Sequence, residues 1–273
     1  KANAYGLGYK EVFITLDSLG CRTFFVATAK EGLQITKINK NIQVYVLNGF
    51  SNKKSAINMI KNGLRIVINN IDQVQQLINI SKDSNIKANC AIHIDTGMNR
   101  LGIDIDEIEN IIPLSKKYLN ISLIMSHLSC SENKNSKINN LQLKKFLSVK
   151  KKFSNFPNLK FSLSNSNGIL LDKKFHFNLC RPGGLIYGLN LEEKNNNGIQ
   201  NVVSLQARVL HIKPIKKGDY VGYGANYRAK KKCTIATLGI GYADGLPRNF
   251  SGFVFYKDNK FPLVGNISMD LCT

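Results

Sequence analysis

The stretch Arg65-Ile66-Val67-Ile68-Asn69-Asn70-Ile71-Asp72-Gln73-Val74-Gln75-Gln76-Leu77-Ile78, with Cys90-Ala91-Ile92-His93-Ile94-Asp95 after it, decides the fold. The run ending at Ile68 is short, apolar and β-branched, as a buried strand is. Beyond Asn70 the apolar residues Ile71, Val74, Leu77 and Ile78 recur at spacings of three and four, which is one face of a helix. A second apolar run follows at Cys90–Ile94. Two strands separated by a helix cannot form a hairpin, so they lie parallel.

The same alternation extends in both directions. Phe24-Phe25-Val26-Ala27, Gln43-Val44-Tyr45-Val46-Leu47, Leu123-Ile124-Met125 and Phe161-Ser162-Leu163 read as further buried strands, and Ile105, Ile108, Ile111 and Ile112 mark another helix. With His176–Leu179 the count reaches seven strands, most followed by a helix. That predicts a parallel α/β fold of the (β/α)8 barrel type lacking its first strand, which would precede Lys1. The polar run Glu192-Glu193-Lys194-Asn195-Asn196-Asn197-Gly198 has linker composition, dividing the chain into 1–197 and 198–273. Past it, Val202–Ile212, Cys233–Ile240 and Gly252–Tyr256 read as strands joined by turns such as Lys217-Gly218-Asp219, a partial all-β domain. The first residues have no initiator Met or targeting pattern, and Ser268-Met269-Asp270-Leu271-Cys272-Thr273 ends without a turn. Both ends therefore read as cuts, and the expectation is an unstable or inactive fragment of an active parent.

The chain of 273 residues carries a formal charge of +20. The basic residues are scattered in short groups such as Lys150–Lys152 and Lys230–Lys232 rather than gathered into one aromatic-laced stripe, so a nucleic-acid partner is not expected. No apolar run approaches membrane-spanning length. Six cysteines lie far apart without zinc-type spacing; reduced thiols, a cytoplasmic location and no metal site follow. Phosphate loops of the G-x-x-x-x-G-K kind and G-x-S-x-G nucleophile turns are absent.

What remains are polar clusters at strand ends: Asp95-Thr96-Gly97-Met98-Asn99-Arg100, Ser126-His127, Ser164-Asn165-Ser166-Asn167-Gly168 and Arg181-Pro182-Gly183-Gly184. In a parallel barrel these converge on one mouth. Small residues near helix starts at Ser166, Gly183 and Gly184 suit a phosphate, and two arginines suit an anionic or aromatic ligand. Plainer readings stand beside these. Arg100 and Arg181 could pair with Asp95 and Asp172, His127 could be a satisfied core histidine, Tyr223 between two glycines could be a turn residue, and Tyr242 a core aromatic.

Lys1-Ala2-Asn3-Ala4-Tyr5-Gly6 resembles the cofactor-lysine motif of alanine racemases. Asp95–Leu101, Arg181–Gly188, Gly222–Tyr227, Gly241-Tyr242-Ala243-Asp244-Gly245 and Ser268-Met269-Asp270 follow in that family's order and span nearly the whole chain. The resemblance implies pyridoxal 5'-phosphate as cofactor and two-base proton transfer that interconverts L- and D-alanine, supplying D-alanine for peptidoglycan. Lys1 would bond covalently to the cofactor and serve one face of the substrate; Tyr223 would serve the other. Tyr5, Ser166, Gly183 and Gly184 would bind the phosphate with Asn165 beside it, and Arg181 would meet the pyridine nitrogen. Arg100 would hold the cofactor ring oxygen and the substrate carboxylate, and His127 would tune Tyr223. Tyr223, Tyr242 and Met269, the last two meeting substrate, would reach the site of a second subunit, so the resemblance implies a homodimer with shared sites. Leu7 stands where the family often has histidine, and His93 where many members have a carbamylated lysine that holds the arginine seven residues on. The competing reading is a non-catalytic pyridoxal-phosphate carrier on the same barrel.

Overall fold

The computed structural model describes residues 1–189 and 198–273, so the predicted linker, apart from Gly198, lies outside the described residues. Two compact units result, Lys1–Val202 and Val203–Thr273.

In the first unit one parallel sheet takes its strands in chain order: β1 (Thr23–Val26), β2 (Gln43–Val46), β3 (Arg65–Ile68), β4 (Ala88–His93), β5 (Leu119–Met125) and β6 (Lys160–Ser162). Helix α1 (Tyr9–Ser18) precedes β1. The crossovers are α2 (Ala29–Thr36), α3 (Lys53–Lys61), α4 (Ile71–Ser84), α5 (Ile108–Tyr118) and α6 (Lys137–Lys152), and α7 (Ser166–Leu171) follows β6. Three of the crossover helices, α2, α3 and α4, carry their own side-chain caps. Thr28 and Glu31 form a reciprocal capping box, Asn52 accepts from Ser55 N–H, and Asn70 accepts from Gln73 N–H, each satisfying donors that a helix start leaves unpaired.

The strands are apolar on both faces because both are covered. Val44, Val46, Ile66, Ile68, Cys90, Ile92 and Ile124 pack with Phe13, Ile35, Met59, Leu77, Ile108 and Phe146 in the main core. Side chains of opposite parity, Tyr45, Val67, Ala91, Leu123 and Met125, form a separate cluster with Phe25, Leu47 and Leu179. That two-sided burial is what a parallel barrel requires.

Two expected strands are corrected. His176–Leu179 is not a strand: Phe177 sits at φ 53°, a left-handed conformation incompatible with an extended ladder, and the segment's one backbone–backbone bond to β6, from Asn178 N–H to Phe161 O, is joined by two side-chain bonds, Phe161 N–H to Asn178 Oδ1 and Ser162 Oγ to Leu179 O. In the second unit Val202–Arg208 carries no strand, and β7 runs over Val209–Ile215, antiparallel to β10 (Cys233–Leu238). Two small hairpins accompany it: β8 (Tyr220–Val221) with β9 (Tyr227–Arg228), and β11 (Phe253–Tyr256) with β12 (Asn259–Pro262). The predicted turn at Lys217–Asp219 forms with Gly218 at φ 99°. Leu238, Ile267 and Cys272 centre a modest core. The six cysteines are free thiols, and no described helix is long and apolar enough to cross a membrane.

Candidate active site

The strand tips of the first unit surround a cavity of about 850 Å³, lined by Lys1, Tyr5, Arg100, His127, Asn165, Ser166, Arg181 and Gly183 among others. Parallel strands all point their carboxyl ends the same way, so residues far apart in sequence meet there.

Lys1 opens an unusual turn. Ala2, Asn3, Ala4 and Tyr5 all have left-handed backbone, with φ of 49°, 50°, 54° and 59°. Each such L-residue costs about 1–2 kcal/mol, and strain of this kind persists only where the surroundings over-determine it. Here Gly6 N–H closes the turn on Ala2 O at 2.9 Å, and the Asn3 side chain accepts from Tyr9 N–H at 3.0 Å. The turn aims the Tyr5 ring at Tyr187, 5.0 Å between centroids, with Lys1 Nζ 5.8 Å from the Tyr5 ring. Burial raises the Tyr5 phenol, keeping it a neutral donor.

A hydroxyl cradle faces the turn. Asn165 caps α7 by accepting from Gly168 N–H at 2.9 Å, and its carboxamide is fixed by Ser131 Oγ at 2.8 Å and Leu128 O at 3.2 Å. Ser166 Oγ accepts from Gly183 N–H at 2.8 Å and Leu185 N–H at 3.2 Å. With its acceptor sites used, the Ser166 proton is free to be donated. The absence of a side chain at Gly183 lets the Tyr5 hydroxyl sit against the cradle, since a Cβ there would displace it. Gly184 opens the single turn Gly184–Tyr187.

Two cations and two imidazoles line the same cavity. Arg181 donates to Ser162 Oγ and to the carbonyls of Ser126 and Leu163. No carboxylate pairs with it among the described residues; Asp172 contacts Lys174 instead. Burial brings Arg181 down to about 10, so it stays charged at neutral pH. Arg100 likewise does not pair with Asp95, whose carboxylate accepts from the N–H groups of Gly97, Met98 and Asn99 at 2.7–2.9 Å and shapes the loop that carries Arg100. His127 has Arg181 Nη2 at 3.4 Å from Nδ1 and Asn165 Nδ2 at 3.4 Å from Nε2. Both neighbours are donors, whereas a neutral imidazole has one acceptor, so one contact is a spacing and not a bond. Burial, then Arg181 and Arg100, push His127 down to about 3. It is therefore a neutral imidazole at neutral pH.

His93, at the position where many family members have the carbamylated lysine, lines the same cavity. Its Nδ1 lies 2.9 Å from Asn69 Oδ1, and Asn69 Nδ2 donates to Leu47 O at 2.8 Å. Asn69 therefore presents its oxygen, His93 Nδ1 carries the proton, and Nε2 is the acceptor. Burial and Arg181 lower His93 to about 4. Tyr187 was missed, although it lies within the Arg181–Gly188 motif.

Tyr223, Tyr242 and Met269 belong to the second unit and are exposed there. All three loops are tied to one segment. Asn266 Nδ2 donates to Tyr223 O at 2.8 Å, and Tyr242 N–H and Ala243 N–H donate to Ser268 O and Met269 O at 3.0 and 2.9 Å. Gly241 must be glycine because a Cβ would strike the Ser268 and Met269 carbonyls.

Residues 1–191 match the family model described as alanine racemase, N-terminal domain, and residues 202–273 that described as alanine racemase, C-terminal domain. The alanine racemase of Rickettsia bellii is 43% identical over 277 residues, covering 99% of this chain and 67% of that protein; that of Rickettsia africae is 39% identical, covering 99% and 75%. Among solved structures, alanine racemase from Bartonella henselae with covalently bound pyridoxal phosphate superposes with a TM-score of 0.92 at 36% identity, covering 99% of this chain and 76% of that one. The biosynthetic alanine racemase of Pseudomonas aeruginosa gives 0.91 at 27% identity, with the same coverage. With both domain models matched in order and relatives at this identity along the full chain, the protein belongs to the alanine racemase family.

Proposed function

We propose that the protein interconverts L- and D-alanine with pyridoxal phosphate as cofactor, supplying D-alanine for peptidoglycan. The observation that carries this reading is the single cavity that brings Lys1, the Ser166–Gly183 cradle and the unpaired Arg181 together. The donor set fits the group. A phosphate suits the free Ser166 proton, the Tyr5 phenol and the Gly184 N–H, with Gly183, whose own N–H donates to Ser166 Oγ, leaving room for close approach and Asn165 holding the cradle. A planar ring nitrogen suits Arg181, which has no carboxylate to satisfy it.

Pyridoxal phosphate, when bound, supplies an electron-withdrawing ring that acidifies the α-hydrogen of an attached amino acid. The residues then divide the work. Lys1 anchors the cofactor and moves the proton on one face, and Tyr223 moves it on the other. Arg181 keeps its own proton and so donates a hydrogen bond to the ring nitrogen without protonating it. Arg100 binds the cofactor ring oxygen and the substrate carboxylate, helped by Tyr242 and the Met269 backbone, while neutral His127 orients Tyr223. We infer a homodimer in which each copy lends Tyr223, Tyr242 and Met269 to the other; their exposure and their common tether support this. Residues 1–197 would carry the cofactor and 198–273 the second base. Free thiols support a cytoplasmic location.

Exchange of the α-hydrogen of L- and D-alanine in heavy water tests the reading. Lys1→Ala should lose cofactor absorbance and both exchanges, whereas Tyr223→Phe should keep the absorbance and lose exchange of one enantiomer far more than the other. A Lys1→Ala chain that kept both signals would overturn it.

A further inference from the structure

We propose that Gln142, a residue outside the cavity, is a positioning residue that locks the loop carrying His127 to the loop carrying Arg100. Gln142 lies on α6 and is 1% exposed. Its Nε2 donates to His127 O at 2.9 Å and Thr96 Oγ1 at 3.2 Å, and its Oε1 accepts from Ser129 N–H at 2.9 Å and Ser129 Oγ at 3.1 Å. Two donors and two lone pairs are all the carboxamide has, so it is saturated. Its orientation is also unique, since a flip would set Oε1 against the His127 carbonyl.

Neighbours on the same face of α6, Leu143, Phe146 and Val149, are apolar core, and burying an amide among them is costly unless every atom is matched. All four matches fall on the two loops. Thr96 adjoins Asp95, the carboxylate that shapes the Arg100 loop, and Thr96 Oγ1 lies 2.7 Å from Ser126 Oγ. Ser126 O in turn accepts from Arg181. One uncharged amide thus sets the register of Arg100, His127 and Arg181 relative to one another. A merely satisfied core glutamine would need no such selection of partners.

The inference rests on the cofactor reading above, and its test separates the two. Gln142→Met keeps length and removes all four bonds; Thr96→Val removes the hydroxyl that joins Gln142 to Ser126, cutting both of its bonds, and guards against a Gln142 variant that fails to fold; Val149→Ala, on the same helix, is the control for general loosening. In the cofactor-free chain labelled at histidine, the His127 ring signals should move in Gln142→Met and Thr96→Val but not in Val149→Ala, with His176 as internal reference. Titration with pyridoxal phosphate, read by absorbance, should then show affinity weakened at least about tenfold in Gln142→Met, in the range expected when a reactive constellation is displaced by a fraction of an ångström. Unmoved His127 signals, or an affinity loss no larger than that of Val149→Ala, would overturn the proposal. A wild-type chain that bound no cofactor would defeat the cofactor reading, and the histidine signals would still decide whether Gln142 holds the loop.

Discussion

Acidification from neutrality to about pH 5 should cost this protein stability through two imidazoles. Burial is the first cause for both, with the Arg181 charge next, and the folded values fall to about 3 for His127 and about 4 for His93, against about 6.5 in an unfolded chain. Below that value the unfolded chain takes up a proton at each site that the native chain refuses. The stabilisation is therefore complete above about pH 6.5 and declines as pH falls, by about 1.4 kcal/mol per unit and per group. At about pH 5 the loss is about 2 kcal/mol for each histidine and about 4 kcal/mol together, a large part of the 5–15 kcal/mol typical of a domain. Carboxylates do not share this window. Glu31, which burial alone would raise, is held low by the backbone N–H groups of Thr28 and Ala27, so its contribution disappears only at lower pH. Urea unfolding at half-unit steps from pH 7 to 5 measures the effect. His127→Gln and His93→Gln should each remove roughly half of the slope, and the double variant nearly all of it. A flat profile in the wild type, or an undiminished slope in the double variant, would refute the assignment of buried neutral imidazoles.

Two further outcomes follow from packing. Gly183→Ala places a methyl against the Tyr5 hydroxyl, so Tyr5 must leave the cradle; affinity for pyridoxal phosphate should fall about tenfold, equivalent to about 1.4 kcal/mol, in an absorbance titration, with little change in thermal midpoint. Phe146→Ala removes a fully buried ring that meets Phe177 edge-on at 5.0 Å; it should lower unfolding free energy by about 3–5 kcal/mol in denaturant titration, with the slope unchanged.

The alternation of apolar runs and helical faces made the parallel sheet legible without coordinates, because burial on both faces forces β-branched runs and a covering helix forces a spacing of three and four. Motif strings likewise pointed to Lys1, Tyr5, Ser166 and Arg181 as neighbours. The failures have local causes. Phe177 breaks an apparently extended run with one positive φ, and Val202–Arg208 has strand-like residues but pairs with no strand among the described residues, which composition cannot report.

Pattern and motif, which depend on residues close in sequence, determined the parallel alternation of strand and helix, the family, and the residues Lys1, Tyr5, Arg100, His127, Asn165, Ser166, Arg181 and Gly183 of the cavity's lining. Tertiary structure decided what depends on residues far apart. It left Arg100 and Arg181 free of the carboxylates that could have paired with them, made His93 and His127 neutral by enclosing them beside guanidiniums, and set Gln142 between two loops. Charge state and hydrogen-bond partnership are properties of a surrounding, and the surrounding exists only once the chain has folded.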